Sequence, residues 1–254
     1  MERLQFFDCN ASFGMRKSVL PGSFYKKDDL LARMSEYGIK KALVHNAMAM
    51  EYDAETGDRI LTEELKGNGN LLPAWVVLPH HTGEFPVPGD LITLMRNNDI
   101  RAAILMPGSG SGYGHSVEEW CCGDLYKVFE KHGIPLFLPA DQLPSMDSLY
   151  SICKQHPSLN VVLTGLDYRI SRDLFPLLKV FSRLYVETSG YRAQDGIEEI
   201  CSKFGADRLI FGTNLPFGSG AAAVCMIAYA NISQEEKQMI ACKNLEKLLG
   251  GVRF

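Results

Sequence analysis

The residues of this chain that could do chemistry stand at or just beyond the ends of apolar runs. His45 closes the run Lys41–His45, His80 and His81 follow Leu72–Leu78, and Asp141 lies three positions past Ile134–Leu138. Asp167 and Arg169 come after Asn160–Leu163, Glu187 ends Leu184–Glu187, and Arg192 follows it. Asn10 and Ser12 follow Leu4–Asp8, and Asn214 follows Leu209–Gly212. Imidazole can take up or release a proton near neutral pH, a carboxylate can orient it or act as the acid, and a guanidinium holds a carboxylate or phosphate through paired hydrogen bonds. The expectation is therefore His45 or His80 as base, with Asp141 or Asp167 as its partner. Arg169, Arg192, Asn10, Ser12, Glu187 and Asn214 would hold a small anionic molecule. Each has a plainer reading beside it: His45 as a buried core histidine, Asp8 as a loop-orienting carboxylate, Glu187 as the buried partner of Arg169 or Arg192, and the two arginines as local ion pairs.

These runs alternate with helical patterns. Ala102–Met106 is the remaining apolar run, and the helical stretches are Asp28–Tyr37, a short one near Asp58–Leu65, Asp90–Asn97, Val117–Lys131, Met146–Gln155, Asp173–Phe181, Gly196–Phe204 and a C-terminal pair. Ser116 with Glu119 and Ser233 with Glu236 have the spacing of capping boxes. Eight such alternations imply α/β architecture with a parallel sheet and helical crossovers. A doubly wound dinucleotide fold would need Gly-x-Gly-x-x-Gly after the first strand, and it is not there. The Gly-rich loop Gly108–Gly114 lacks the Lys-Ser/Thr of a phosphate loop. A closed (β/α)₈ TIM barrel is the reading, spanning residues 1–254 as one domain. In such a barrel the strand ends listed above share one mouth.

Composition narrows the classes. Hydrophobic residues at 46% and charged residues at 22% suit a globular chain with a sizeable core, and a net charge of −4 without a basic run argues against nucleic acid and anionic membrane as partners. Homo-oligomerisation is left open. Seven scattered cysteines and no export-type leader point to a reducing cytoplasm. Cys121-Cys122 is read as a packing pair, because adjacent helical side chains diverge and no second Cys/His pair lies near in sequence.

The stretch Phe211-Gly212-Thr213-Asn214-Leu215-Pro216 resembles the last strand of the amidohydrolase superfamily, in its amidohydrolase-related branch, where Gly-Thr-Asp-x-Pro carries a metal ligand that is also the base. The resemblance covers most of the chain. Phe7-Asp8-Cys9-Asn10-Ala11-Ser12-Phe13-Gly14 is similar to the family's opening Asp-x-His-x-His-x-Gly, with Asn10 and Ser12 at the two imidazoles. Pro139 and Gly165 stand at the histidines of the fifth and sixth strands. The resemblance implies a barrel hydrolase or lyase frame whose metal ligands are replaced. No metal and no cofactor is expected, because an amide neither binds a hard cation well nor accepts a proton from bound water. Two functions follow: metal-independent hydrolase or lyase chemistry on a small carboxylate, or a non-catalytic pseudoenzyme kept as a binding module.

Overall fold

The computed structural model describes residues 4–108 and 112–254, so the centre of the Gly108–Gly114 loop lies outside the described residues. Among the described residues nine parallel strands follow the chain order: β1 (Phe6–Phe13), β2 (Ile39–Asn46), β3 (Leu71–Pro73), β4 (Trp75–Val77), β5 (Ala103–Leu105), β6 (Leu136–Pro139), β7 (Val161–Thr164), β8 (Leu184–Glu187) and β9 (Leu209–Ile210). Every neighbouring pair is separated by at least one helix except β3 and β4, which are one run broken at Ala74. Leu72–Leu78 is thus two short strands. At the break the backbone changes partner: Ala74 N–H donates to Val44 O (2.8 Å), and Trp75 N–H donates to Ala102 O (3.2 Å).

The sheet bends back on itself. Cys9 N–H donates to Phe211 O and Ser12 N–H to Leu215 O, both at 2.9 Å, and Ala11 forms a parallel bridge with Leu215. These bonds lay the segment after β9 along β1, which gives the TIM-barrel form of α/β fold. β1 is longer than Leu4–Asp8 because it carries a register shift between Asp8 and Ala11, beyond which pairing with β2 resumes to Asn46. That extension puts Asn10 and Ser12 on a strand and not in a loop.

The strands are apolar on both faces, as expected when side chains fill the barrel inside and helices cover it outside. Val161, Val162 and Leu163 of β7 are all fully buried, and buried residues of all nine strands join one apolar core. The covering helices are α1 (Lys27–Tyr37), α2 (Ala47–Glu51), α3 (Ala54–Glu64), α4 (Pro88–Asn97), α5 (Glu119–His132), α6 (Met146–Gln155), α7 (Ser171–Val180), α8 (Gly196–Phe204), α9 (Gly220–Ala228), α10 (Gln234–Gln238) and α11 (Asn244–Gly250). α2 is not legible in the sequence. Asn46 starts it by accepting from Met48 N–H (2.8 Å), and Gly57 of α3 lets the two helices meet, since a Cβ there would lie 2.1 Å from Ala49 N. The Ser233–Glu236 capping box is formed, whereas Ser116 accepts from Glu118 N–H and Glu119 turns to His156. Among the described residues no helix is long and apolar enough to cross a membrane.

Candidate functional site

Two carboxylates lie at the centre of the strand ends, both fully buried. Asp8 accepts from the N–H groups of Asn10 (2.9 Å) and Thr213 (3.0 Å) and from the Thr213 hydroxyl. Glu187 accepts from Ser189 N–H (2.5 Å), Ser189 Oγ (2.9 Å), Asn10 Nδ2 (3.3 Å) and Gly165 N–H (3.4 Å). Its passage beside β9 requires Gly212, where a Cβ would come within 2.2 Å of Glu187 Oε1. Burial raises both proton affinities against the lowering by these donors: Asp8 to about 6 and Glu187 to about 7, the latter also through the nearby Asp8 charge. Cys9 lies among them, its thiol pushed well up by burial and then by Glu187 and Asp8.

Above them opens a cavity of about 380 Å³. Asn10, Ser12, His45, Asp141, Gly165 and Asn214 line it together with Ile104, Met106 and Phe137. His45 comes from β2, is 7% exposed, and its ring makes no hydrogen bond among the described residues. Burial, and then the positive charge of Arg16, lower it to about 3, so its ring is neutral at ordinary pH. Asn214 sits at the rim with φ +55°, its carbonyl accepting from Phe217 and Gly218 N–H at 2.8 and 2.7 Å.

The cation of this cavity is Arg16. The turn after β1 carries it back over the strand ends, where Nη1 meets Glu51 Oε1 at 3.1 Å and Nη2 donates to Ser12 Oγ. Its guanidinium carbon lies 4.3 Å from the centre of the Phe217 ring. Nε is buried and has no partner among the described residues, and burial lowers the group's proton affinity.

Four of the residues expected at the mouth are placed elsewhere. His80 lies in a short 3₁₀ turn, its ring packed 4.4 Å from that of His81, which bonds the Cys121 carbonyl. Asp167 spends its carboxylate on the turn after β7, accepting from Arg169 N–H (2.9 Å). The Arg169 side chain is 79% exposed and 3.8 Å from Asp167, and exposed Arg192 donates to Ser189 O (3.3 Å). The arginine pair over the mouth does not form. The tight turns after β7 and β8 direct both side chains outward. Glu187 accordingly pairs with N–H and O–H donors and with neither arginine.

Arg16, Met50, Glu51 and Phe217, which complete the cavity or its ion pair, were not among the sequence candidates. Only Gly14, with φ +109°, marks in sequence the turn that brings Arg16 back. At the positions where the family resemblance puts ligands, Asn10, Ser12, Pro139, Gly165 and Asn214 offer neither imidazole nor carboxylate. Among the described residues, no three His, Cys, Asp or Glu side chains converge at the cavity.

Comparison with known proteins agrees with the barrel fold. The chain is similar to the solved structure of a 2,6-dihydroxybenzoate decarboxylase from Rhizobium, at 17% identity over 98% of this chain and 99% of that one, with a TM-score of 0.76. A dihydroxybenzoic acid decarboxylase from Polaromonas sp. JS666, solved with manganese and 2-nitroresorcinol, gives 15% identity, coverage of 98% and 97%, and a TM-score of 0.74. A putative 2-pyrone-4,6-dicarboxylic acid hydrolase from Pseudomonas putida gives 17%, coverage of 98% on both sides, and 0.71. No curated protein matches the sequence. A family model described as amidohydrolase matches residues 28–251, and with the barrel and its mouth already described, the chain belongs to the amidohydrolase family.

Proposed function

We propose that the barrel mouth binds a small planar carboxylate and acts on it, by hydrolysis or carbon–carbon cleavage, through side chains and without a divalent ion. The observation that carries this reading is Arg16: a buried guanidinium with an unpartnered Nε, facing the same cavity as the neutral His45. An incoming carboxylate would meet the guanidinium in a place poorly screened by water, where a charge-assisted bond is strong, and a small shift of Arg16 against Phe217 would give Nε its missing acceptor. Ile104, Met106, Phe137 and the Phe217 ring supply an apolar wall for a flat molecule. Two of the structural relatives named above are decarboxylases of dihydroxybenzoate, a planar ring with a carboxylate, and a molecule of that kind suits this cavity's size.

His45 is the proton carrier in this reading. Bound anion would offset the Arg16 charge and raise the imidazole's affinity for a proton, so that it could protonate a substrate carbon or leaving group. Asp141, at the rim of the cavity, is the nearest candidate for the complementary acid or base. A manganese ion like that of the Polaromonas enzyme does not fit the donors present. Amide, hydroxyl and glycine replace the ligands, and Asp8 and Glu187 have their oxygens engaged by Thr213, Asn10, Ser189 and Gly165.

The same engagement of both deep carboxylates supports a second reading, a barrel that binds its carboxylate without turnover. Calorimetry with substituted benzoates and pyrone carboxylates on metal-stripped protein tests the shared part: saturable binding that the corresponding amides lack is expected, and no binding would overturn both readings. Product analysis of the bound compounds then separates them.

A further inference from the structure

A second constellation lies outside the mouth. His115, from the loop after β5, meets Cys121 and Cys122 in the first turn of α5, and one ligand atom from each lies within 4.8 Å of the others. Adjacent residues on a helix do point apart, but here the loop brings the imidazole to close the gap between them. Cys122 Sγ is 3.8 Å from His115 Nδ1 and also donates to Ser116 O (3.2 Å). All seven cysteines are free.

The independent observation concerns the ring itself. His115 Nδ1 lies 3.1 Å from the Ser116 carbonyl, while Nε2 is buried and has no partner among the described residues. With Nδ1–H spent on that carbonyl, Nε2 carries the ring's lone pair, as in histidines that ligate metals; Nδ1 is the nitrogen now beside Cys122 Sγ, so the ring must turn to bring Nε2 to the sulfurs. A buried polar atom without a partner costs free energy unless something occupies the space beside it.

We propose that His115, Cys121 and Cys122 form a zinc site separate from the barrel mouth. Two sulfurs and an imidazole are a borderline-soft donor set that suits a tetrahedral d¹⁰ ion. Zinc–sulfur bonds of about 2.3 Å place two tetrahedral sulfurs about 3.8 Å apart, so the cluster needs to contract by no more than about one ångström. Both thiols ionise on binding: one Zn²⁺ replaces two S–H protons, which leave to solvent, and the two thiolates balance its charge. The fourth position is open to water, since Cys121 and His115 are only half-buried.

Zinc would also join the first turn of α5 to the loop after β5, and through the bond between Cys121 O and His81 Nε2 (3.0 Å) to the turn after β4. The test uses the full chain, stripped with a chelator and titrated with zinc against a chromophoric competitor. The expected result is one equivalent bound, two protons released, and a thiolate-to-metal charge-transfer band when cobalt(II) replaces zinc. Cys121→Ser and His115→Gln, at half-buried positions, should each weaken binding at least tenfold while keeping the helical circular dichroism signal, and His45→Ala should leave it unchanged. Absence of zinc binding, cobalt without a thiolate band, or zinc binding indifferent to both Cys121→Ser and His115→Gln would overturn the proposal.

Discussion

Asp8 and Thr213 clasp the first and last strands of the barrel: one carboxylate oxygen accepts the Thr213 backbone N–H at 3.0 Å, and the other accepts its hydroxyl. Thr213→Val keeps the shape and removes the hydroxyl donor. The cost should be about 1–3 kcal/mol, as for a buried acceptor left short of a partner, and Thr213→Ser should recover most of it. Since the Thr213 hydroxyl is foremost among the contacts lowering Asp8, the valine variant should also raise Asp8 above about 6. Chemical denaturation and carboxyl-carbon NMR titration check the two parts.

His45 on one side and Glu187 with Asp8 on the other make opposed contributions to the pH dependence of stability over overlapping ranges. His45 folds with its proton affinity lowered from 6.5 to about 3, so between those values the unfolded chain binds more protons and stability falls as the solution is acidified. Glu187 folds with its affinity raised from 4.5 to about 7, so its contribution is complete below 4.5 and is lost as pH rises through about 7. His45→Gln should therefore steepen the gain in stability on acidification from about pH 7 to 5, and Glu187→Gln should reduce it. Thermal melts from pH 4 to 8 would read both slopes, and an unchanged profile in either variant would refute the corresponding assignment.

Arg16→Gln should weaken carboxylate binding by about 1.5–3 kcal/mol, the range for a hydrogen bond to a charged group. Arg169→Ala and Arg192→Ala should leave affinity within twofold, because both side chains are exposed and outside the cavity lining. Calorimetric titration of the three variants makes the comparison. Sensitivity at Arg169 and indifference at Arg16 would reverse the assignment of the anion site.

Gly57→Ala should destabilise by about 1–3 kcal/mol or more, as overpacking does, because its Cβ would run into the Ala49 backbone. α2 carries Met50 and Glu51, so ligand affinity should fall with it. Gly89→Ala is the control: it lies in α4 with open space around the new methyl, and it should gain about 0.4–1 kcal/mol. Denaturant midpoints and ligand titrations of both variants provide the readout.

The barrel was legible because each strand and helix writes its own local pattern. Ala102–Met106 and Glu187 are placed by their apolar runs alone, and the last strand also by the resemblance carried by Phe211–Pro216. What was not legible depends on contacts between distant segments. The break at Ala74 exists because the two halves of one apolar run pair with different neighbours, β2 and β5. α2 is too short to show a helical repeat and is defined by its packing on Gly57. Arg16 is illegible for the same reason: Gly14 marks a turn, but nothing local distinguishes an arginine in a turn that folds back from one in a turn that faces water. Arg169 and Arg192 illustrate the converse, since the correct strand ends carried them and the turns then sent them outward.

The stacking of Arg16 on Phe217 ties a loop near the beginning of the chain to one near its end. A rim built this way does not diversify one loop at a time. Replacing Phe217 with a smaller residue frees the guanidinium to swing, and replacing Arg16 strips the ring of its cover. Changes at the two positions should therefore be non-additive, and lineages that adapt this mouth to new molecules would travel through paired substitutions, leaving a record of co-variation between two segments some two hundred residues apart.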